Sequence, residues 1–399
     1  MQTQPCEEHR VMLIVAAFVA GALLLFLFGI DRYPRYGLDE SIYVSSARSL
    51  IDGTSIWTPD HPPLGKSLIA VGIKFAGDRA LGWRASGAVA GSLTLAAIML
   101  LAYALLHSVE YMVIAGLLTM FDNFLFVMSR TATLDTFLML FMFWGYLLFA
   151  AAVGAEGSRR KQTICLILSG ILFGLAAACK WNALFSIATV FAIALCPNGR
   201  RRNFSIPALL ASFSALPAVA YAVTFIPLFR SKGMAFSVMN LLSAQREMFL
   251  FMKPITGNIF INDPWFYWPF QIEPQRGLNF LVGNYAVTFS GVVALGFCAW
   301  RLFRRAALPE LTIVSLYLAN WLQWVVIPRR IVYYYYYYPC ALLLSIALVL
   351  ALARWQRKSL FGVRLGLIPV LAAILIFLFC YPRMAGLGAP WDTALGYWR

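Results

Sequence analysis

Residues 11–30 read VMLIVAAFVAGALLLFLFGI, an apolar run that contains no charged side chain. As an α-helix it would be about 30 Å long, which matches the hydrocarbon thickness of a bilayer. The run is too long for the apolar region of a signal peptide, and Asp31-Arg32-Tyr33 is a poor cleavage site. It therefore predicts a retained transmembrane helix, preceded by a short cytoplasmic N-terminus at residues 1–10.

Similar apolar runs recur along the rest of the 399-residue chain. The chain is 61% hydrophobic and only 12% charged, whereas a soluble domain carries about 25% charged residues. Lipid must therefore surround most of the molecule, and we predict an all-α polytopic membrane protein with about eleven spans. The predicted spans are 11–30, 85–106, 111–127, 134–153, 163–179, 183–196, 205–228, 279–300, 309–327, 333–353 and 365–381.

The distribution of Lys and Arg predicts the orientation of these spans. The two residue types are about twice as dense in one set of loops as in the other, and the positive-inside rule makes the denser set cytoplasmic. Residues 11–381 then form one transmembrane domain, whose long loops 31–84 and 229–278 lie outside with the C-terminal tail 382–399. The net charge of +15 reflects topology and contacts with anionic membrane lipids. No basic module predicts nucleic-acid binding.

The first outer loop is rich in groups that could carry chemistry. Asp39 and Glu40 lie just beyond the first span, where carboxylates are costly unless they are paired or used. Asp39 could also be the N-cap of an amphipathic helix. Asp60 and the sequence HPPLGK at 61–66 follow, in which two prolines stiffen the chain and precede a second helix. Arg84 stands at the mouth of the second span and could hold a phosphate.

These motifs resemble those of the protein O-mannosyltransferase family, whose members are integral-membrane glycosyltransferases of the C-type fold that use a polyprenyl-phosphate sugar as donor. The resemblance begins with Asp39-Glu40, HPPLGK and Arg84 and extends over about residues 35 to 385. Its further pieces are SRTATLDTFL at 129–138, GLA at 174–176, CKW at 179–181, PWFYWP at 264–269, YLANW at 317–321 and PRR at 328–330.

The resemblance implies an inverting transfer of mannose from the lipid-linked donor to a hydroxyl group of a protein acceptor. Asp39 would be the general base, and Glu40 would orient the site or bind the acceptor. The departing lipid phosphate needs cations around it. The predicted phosphate ligands are Arg84, Arg130 and Lys180, followed by Lys66 and Arg330. The predicted supporting residues are His61, Asp60, Asp135 and Trp268.

We predict no metal and no cofactor besides the donor substrate. The outer carboxylates are not spaced as a metal cage, and the seven cysteines are scattered without metal-ligand spacing. The basic residues could stabilise the phosphate by themselves.

Several of these residues also have structural interpretations. The cations could be interfacial side chains that extend their charged ends to water. Asp135 could pair with an arginine or cap its helix, and His61 could be a polar turn residue. The aromatic stretch 264–269, which includes Trp268, and the tyrosine run 333–338 are interpreted first as a membrane-interface belt. They could instead stack on a sugar or line a lipid groove.

Two features depart from eukaryotic members of the family. The outer loop 229–278 cannot hold their β-trefoil domain, and the chain is short even beside bacterial members. Both favour an enzyme of the prokaryotic plasma (inner) membrane. The primary acceptor is Ser/Thr of proteins, with a lipid or envelope glycan as the alternative. A transporter is disfavoured because no internal repeat is seen, and a non-catalytic membrane subunit is the third class.

Overall fold

The computed structural model describes residues 5–32, 36–37, 39–53, 55–155, 158–196, 204–253, 264–275, 280–305, 307–327, 332–355 and 360–387. Within these ranges the structure is helical, apart from one isolated bridge between Gln275 and Leu281. Its α-helices, in chain order, are α1 Pro5–Leu27, α2 Glu40–Asp52, α3 Leu64–Ala76, α4 Ala80–Leu106, α5 Val109–Met120, α6 Asn123–Ser129, α7 Leu134–Gly154, α8 Arg159–Ala177, α9 Ala183–Leu195, α10 Ile206–Leu210, α11 Leu216–Val223, α12 Ile226–Ser231, α13 Val238–Met252, α14 Tyr285–Arg304, α15 Leu308–Val326, α16 Tyr338–Trp355 and α17 Leu360–Met384. A π-helix at Ala211–Ala215 joins α10 to α11, and 3₁₀ helices lie at Trp265–Phe270 and Tyr334–Tyr337.

The described helices account for every predicted span, although not all of them meet the length and apolarity expected of a membrane-crossing helix. Eight do so, and α5 with α6 would make a ninth if the bent pair is one span. Helix α9 has only 13 residues. Helix α15 carries the polar residues Glu310, Asn320 and Gln323 on its buried side. The chain is a multi-pass membrane protein, while the count of eleven stays a prediction.

The third predicted span, 111–127, is not one straight helix. It divides into α5 and α6, which meet at an angle of 59°. Asp122 causes the break, because its carboxylate accepts hydrogen bonds from the amides of Phe124 (2.9 Å) and Leu125 (3.4 Å) and so caps a new helix. Helix α6 then leads directly into the segment 129–138.

Helix α16 is the central element of the bundle. Of its apolar stretch 89% is buried, against 22% for α1 and 28% for α17. It packs against α4, α5, α6, α14, α15 and α17. Small residues allow close approach elsewhere in the bundle, as transmembrane packing requires. At Gly170 of α8, a Cβ atom would lie only 1.9 Å from the carbonyl oxygen of Ser212 in the π-helix.

Both long loops that the predicted topology puts outside contain helices. The first holds α2 and α3, as the sequence predicts, and the second holds α13 and the 3₁₀ helix Trp265–Phe270. The C-terminal tail is described only as far as Leu387.

Candidate active site

Asp39 stands immediately before α2 and faces the tyrosine run at the start of α16. The hydroxyl of Tyr335 donates a short hydrogen bond to its Oδ2 atom. Asp39 occupies the N-cap position of α2 but makes no side-chain capping bond, so the structure does not favour capping as its purpose. Burial raises the pKa of Asp39 above its ordinary value, and the Tyr335 hydrogen bond and the nearby Lys180 charge oppose that rise.

The tyrosine run does not form the interface belt that the sequence favoured. Residues 334–338 are all buried, with exposed fractions of 8% or less. Tyr334 packs edge-on against Phe124 at 4.9 Å, and Tyr336 stacks on Trp324 at 4.8 Å. A run of aromatic side chains has the same sequence signature in both settings, and here the surrounding helices cover it.

Lys180 and Asp135 form a buried ion pair beside Asp39. The Lys180 ammonium donates to Asp135 Oδ2 at 2.7 Å, and the two side chains are 4% and 7% exposed. The same ammonium lies 5.3 Å from the ring centre of Tyr335 and 5.2 Å from that of Tyr336. Asp135 lies in the first turn of α7 while Thr133 is the N-cap residue, and the ion pair favours the pairing role of Asp135, with a lysine as the partner instead of an arginine.

Lys66, from the HPPLGK segment, is enclosed by the loop that precedes it. Its ammonium donates to the carboxylate of Asp60 and to the Thr58 carbonyl, both at 2.5 Å, and to the His61 carbonyl at 3.3 Å. It also lies 4.3 Å from the ring centre of Trp57. Burial lowers the pKa of Lys66, while Asp60 acts in the opposite direction.

Glu40 and Arg84 form a second buried pair that is separate from the cluster around Asp39. Arg84 donates to both carboxylate oxygens, at 2.7 and 2.8 Å, and to the Ile30 carbonyl at 2.9 Å. Glu40 also accepts the amides of Gly37 and Ala132, each at 2.7 Å. The two side chains are 0–1% exposed, so Arg84 is not an interfacial cation that extends its charged end to water. The pair fastens the Asp39 loop to α4 and to the turn before α7.

This geometry favours a positioning role for Glu40 over contact with an acceptor. For Arg84 it likewise favours a structural role over the predicted phosphate contact, because the guanidinium is buried against Glu40 and Ile30. The sequence analysis assigned both residues to the site but could not show that they neutralise one another.

Arg130 also binds backbone groups. Its guanidinium donates to the carbonyls of Phe26, Phe28 and Gly29 at 2.6–2.8 Å. These carbonyls belong to the last turn of α1 and the residues after it, where a cation is favourable. The structure therefore favours Arg130 as the cap of the first span over the predicted phosphate contact.

A small cavity lies between these elements. The amide of Leu64 donates to the Ala178 carbonyl at 3.1 Å, which holds the HPPLGK segment against the end of α8. The residues that carry polar or aromatic groups into the cavity are His61, Asp135, Lys180, Asn182, Gln323, Trp324 and Tyr336.

Several of these neighbours were missed by the sequence analysis. Asn182 donates a hydrogen bond to Gln323 at 3.0 Å across the cavity. In the sequence, the motifs that pointed to this region were the tyrosine run and CKW at 179–181. Trp268, a predicted supporting residue, is 1% exposed and packs against Trp324 and Tyr336 at 5.6 and 6.3 Å. It supports the cavity wall from behind, while its neighbour Tyr267 is 57% exposed.

The structure thus brings Asp39, Asp60, His61, Asp135 and Lys180 to one end of the bundle, with Lys66 behind the loop. Arg330 lies outside the described residues. Among the described residues, no group of three or more His, Cys, Asp and Glu side chains could hold a metal ion. The absence of a metal from the reaction stays a prediction.

Comparison with known proteins agrees with this architecture. Residues 60–225 match the family described as dolichyl-phosphate-mannose-protein mannosyltransferase. The polyprenol-phosphate-mannose–protein mannosyltransferase of Mycobacterium tuberculosis is 28% identical over 411 aligned residues, covering 82% of this chain and 77% of that protein.

Two solved structures have the same fold. The Saccharomyces cerevisiae protein O-mannosyltransferase Pmt1-Pmt2 complex bound to the sugar donor superposes with a TM-score of 0.83 at 12% identity, covering all of this chain and 93% of that one. ArnT from Cupriavidus metallidurans bound to undecaprenyl phosphate gives 0.67 at 17% identity, covering 94% and 66%.

The fold therefore defines the class: the chain has the C-type fold of membrane glycosyltransferases, as predicted. Within that class it is similar to the protein O-mannosyltransferases over most of its length, which confirms the resemblance carried by its motifs.

Proposed function

We propose that the protein is an inverting glycosyltransferase that moves mannose from a polyprenyl-phosphate carrier to Ser/Thr hydroxyls of proteins. The observation that carries the proposal is the partly buried Asp39 carboxylate, which lies close enough to Lys180 and Asp135 for their charges to act on it. A proton acceptor and a cation thus share one end of the bundle. The similarity to mannosyltransferases that use the same class of donor supports the choice of substrate.

Asp39 is the general base of this mechanism. A Ser or Thr hydroxyl is a weak nucleophile at neutral pH, and a carboxylate that removes its proton during attack accelerates the reaction. Partial burial strengthens the carboxylate as a base, since burial raises its pKa. The Tyr335 hydroxyl fixes the Oδ2 atom of Asp39 and leaves Oδ1 for the acceptor. One base is sufficient, because an inverting displacement forms no covalent sugar–enzyme intermediate.

Lys180 stabilises the departing lipid phosphate. Among the predicted phosphate ligands that the structure describes, it is the one that lines the cavity, and it contacts a carboxylate and two tyrosine rings. As negative charge develops on the phosphate, the ammonium can share its donors between Asp135 and the leaving group. Lys66 is a weaker candidate, because Asp60 and two carbonyls already surround its ammonium. No step of this mechanism requires a metal.

The reaction takes place on the extracytoplasmic face of a prokaryotic plasma membrane. The predicted topology supports this location, since loop 31–84, which carries Asp39, falls on the face whose loops have the lower density of Lys and Arg. The partners are the lipid-linked donor, which reaches the site through the bilayer, and a protein segment that arrives from the aqueous side.

The test is incubation of the purified protein with polyprenyl-phosphate mannose that carries a labelled sugar, together with envelope extract. We expect the label to move into protease-sensitive, organic-insoluble material and to be released by β-elimination, as Ser/Thr linkage requires. Label that is recovered in protease-resistant glycan or in extractable lipid would instead identify the alternative acceptor class. Absence of any transfer by the wild-type protein would contradict the proposed activity.

The acidic limb of the pH profile should depend on Tyr335. Its hydrogen bond stabilises the Asp39 carboxylate and therefore lowers the pKa of that group. In Tyr335→Phe this effect is lost, the pKa of Asp39 rises further, and the base becomes protonated at a higher pH than in the wild type. The fall of kcat/KM toward acid should accordingly begin at higher pH, while the rate on the alkaline side of the limb changes little.

Tyr333→Phe is the matched control for this measurement. Tyr333 stacks on Tyr335 at 5.5 Å, but the Asp39 hydrogen bond comes from Tyr335. An acidic limb that stays in place in Tyr335→Phe, or that moves equally in Tyr333→Phe, would show that the hydrogen bond does not tune the base.

A further inference from the structure

A basic cavity lies at the opposite end of the bundle from Asp39. It has a volume of about 360 Å³ and is lined by Trp300, Arg301, Arg304, Arg305 and Arg354. Helix α16 begins beside the tyrosine run and ends beside this cavity, and its 18 residues rise about 27 Å between the two. That distance is close to the hydrocarbon thickness of a bilayer, so the cavity and the candidate active site face opposite membrane surfaces.

Two of the arginines that line the cavity are held in place by a buried ion-pair network. Glu310, at the start of α15, is fully buried and accepts hydrogen bonds from Arg301 (3.3 Å) and Arg354 (3.0 Å) on its Oε1 atom. This carboxylate joins the ends of α14, α15 and α16. Both arginines use their Nε atoms, which leaves the terminal nitrogens of each guanidinium group for another acceptor.

The charge of the cavity is not balanced by the protein around it. Four guanidinium groups surround it, and Glu310 is the acidic partner of two of them. Within the described ranges, Arg304 and Arg305 form no ion pair, and Arg304 instead lies 5.7 Å from the ring centre of Trp300. Guanidinium groups present paired donors whose geometry matches phosphate oxygens. The cavity is therefore suited to a phosphate group.

The surface beside the cavity is apolar and faces lipid. Helix α14 exposes Val293 (74%), Trp300 (53%) and Phe303 (92%) along one side, and Trp355 at the end of α16 is 73% exposed. A soluble anion would not contact this apolar side of α14. The acyl chains of a phospholipid would cover it while the head group enters the cavity. Basic pockets between transmembrane helices bind anionic lipid head groups in this manner.

We propose that this cavity is a binding site for the phosphate head group of an anionic phospholipid, with the acyl chains along the exposed side of α14. The site is independent of mannose transfer, because it lies at the opposite end of α16 from the tyrosine run. Its charge matches the acidic surface of a cytoplasmic leaflet, which is where the predicted topology puts these helix ends.

The test is a lipid titration of the delipidated, detergent-solubilised protein, followed by native mass spectrometry. Phosphatidylglycerol should bind in preference to phosphatidylcholine. In Arg304→Gln/Arg305→Gln the affinity for phosphatidylglycerol should fall about 30-fold, since each basic residue near an acidic lipid contributes roughly a further fivefold. The residues changed are the two without an acidic partner, so the Glu310 network stays intact.

The matched control is Arg159→Gln/Arg160→Gln. These two arginines begin α8 and, by the predicted topology, lie on the same membrane face but do not line the cavity. An equal loss of affinity in the control would mean that the lipid responds to surface charge alone, and the proposal would be wrong. Competition by millimolar inorganic phosphate that removes the lipid completely would likewise overturn it in favour of a site for soluble anions.

Discussion

Replacement of Asp39 by asparagine should reduce mannose transfer by about 10²- to 10⁴-fold, the range that general-base catalysis contributes. The asparagine side chain retains the size of the carboxylate and can still accept the hydrogen bond from Tyr335. It cannot take a proton from the attacking hydroxyl. The loss should therefore appear in kcat, with little change in the KM for the lipid donor. The measurement is the rate of label transfer at saturating donor.

The control for this variant is Asp52→Asn. Asp52 lies in the same loop, is exposed, and accepts hydrogen bonds from the Ser55 hydroxyl and amide at 2.9 and 3.1 Å. It should retain wild-type transfer. If Asp39→Asn membranes transfer mannose at the wild-type rate, the base is another group. If they still support glycosylation that the purified protein alone does not perform, the chain is a non-catalytic subunit.

Local sequence located one half of the candidate site and could not locate the other. Asp39 and the segment 61–66 are recognisable because their order and spacing are short-range features of one loop. Tyr335, which donates to Asp39, lies 296 residues further along the chain. Nothing in a run of six tyrosines tells which of them is turned toward a carboxylate, because that direction is set by the 3₁₀ turn and by the helices around it.

The roles of the arginines show a related limit. Sequence counts charges and places them near a membrane face, but it does not give the position of backbone carbonyls. Arg130 is held by three carbonyls at the end of α1, about a hundred residues earlier in the chain. The break at Asp122 is different, since an Asp-Asn pair inside an apolar run is a visible capping signal. That helix division could have been predicted.

The largest expected effect on stability is that of removing Arg84. In Arg84→Met the Glu40 carboxylate remains buried with no cation beside it, and the loss of one partner of such a pair costs about 3–5 kcal/mol. The loop that carries Asp39 would also lose its attachment to α4. We expect a marked fall in resistance to denaturation in detergent, measured as the midpoint of unfolding with increasing dodecyl sulfate.

A second ion pair in the same loop provides the comparison. Arg48 donates to both carboxylate oxygens of Asp78 at 2.8 and 2.9 Å, a geometry close to that of Glu40 and Arg84, but these side chains are 31% and 47% exposed. Water can solvate the carboxylate that Arg48→Met leaves behind, so this variant should cost at most about 1 kcal/mol.

The double variant Glu40→Gln/Arg84→Met separates the two functions assigned to Arg84. Removal of the uncompensated charge should recover part of the stability lost in Arg84→Met, because most of that loss is the cost of a buried lone carboxylate. If Arg84→Met instead unfolds like the wild type and shows only a raised KM for the lipid donor, Arg84 is a phosphate ligand after all. Burial favours the first outcome, because Arg84 is enclosed and all three of its guanidinium nitrogens already donate to Glu40 or the Ile30 carbonyl, so a substrate phosphate could reach it only if the pair opens.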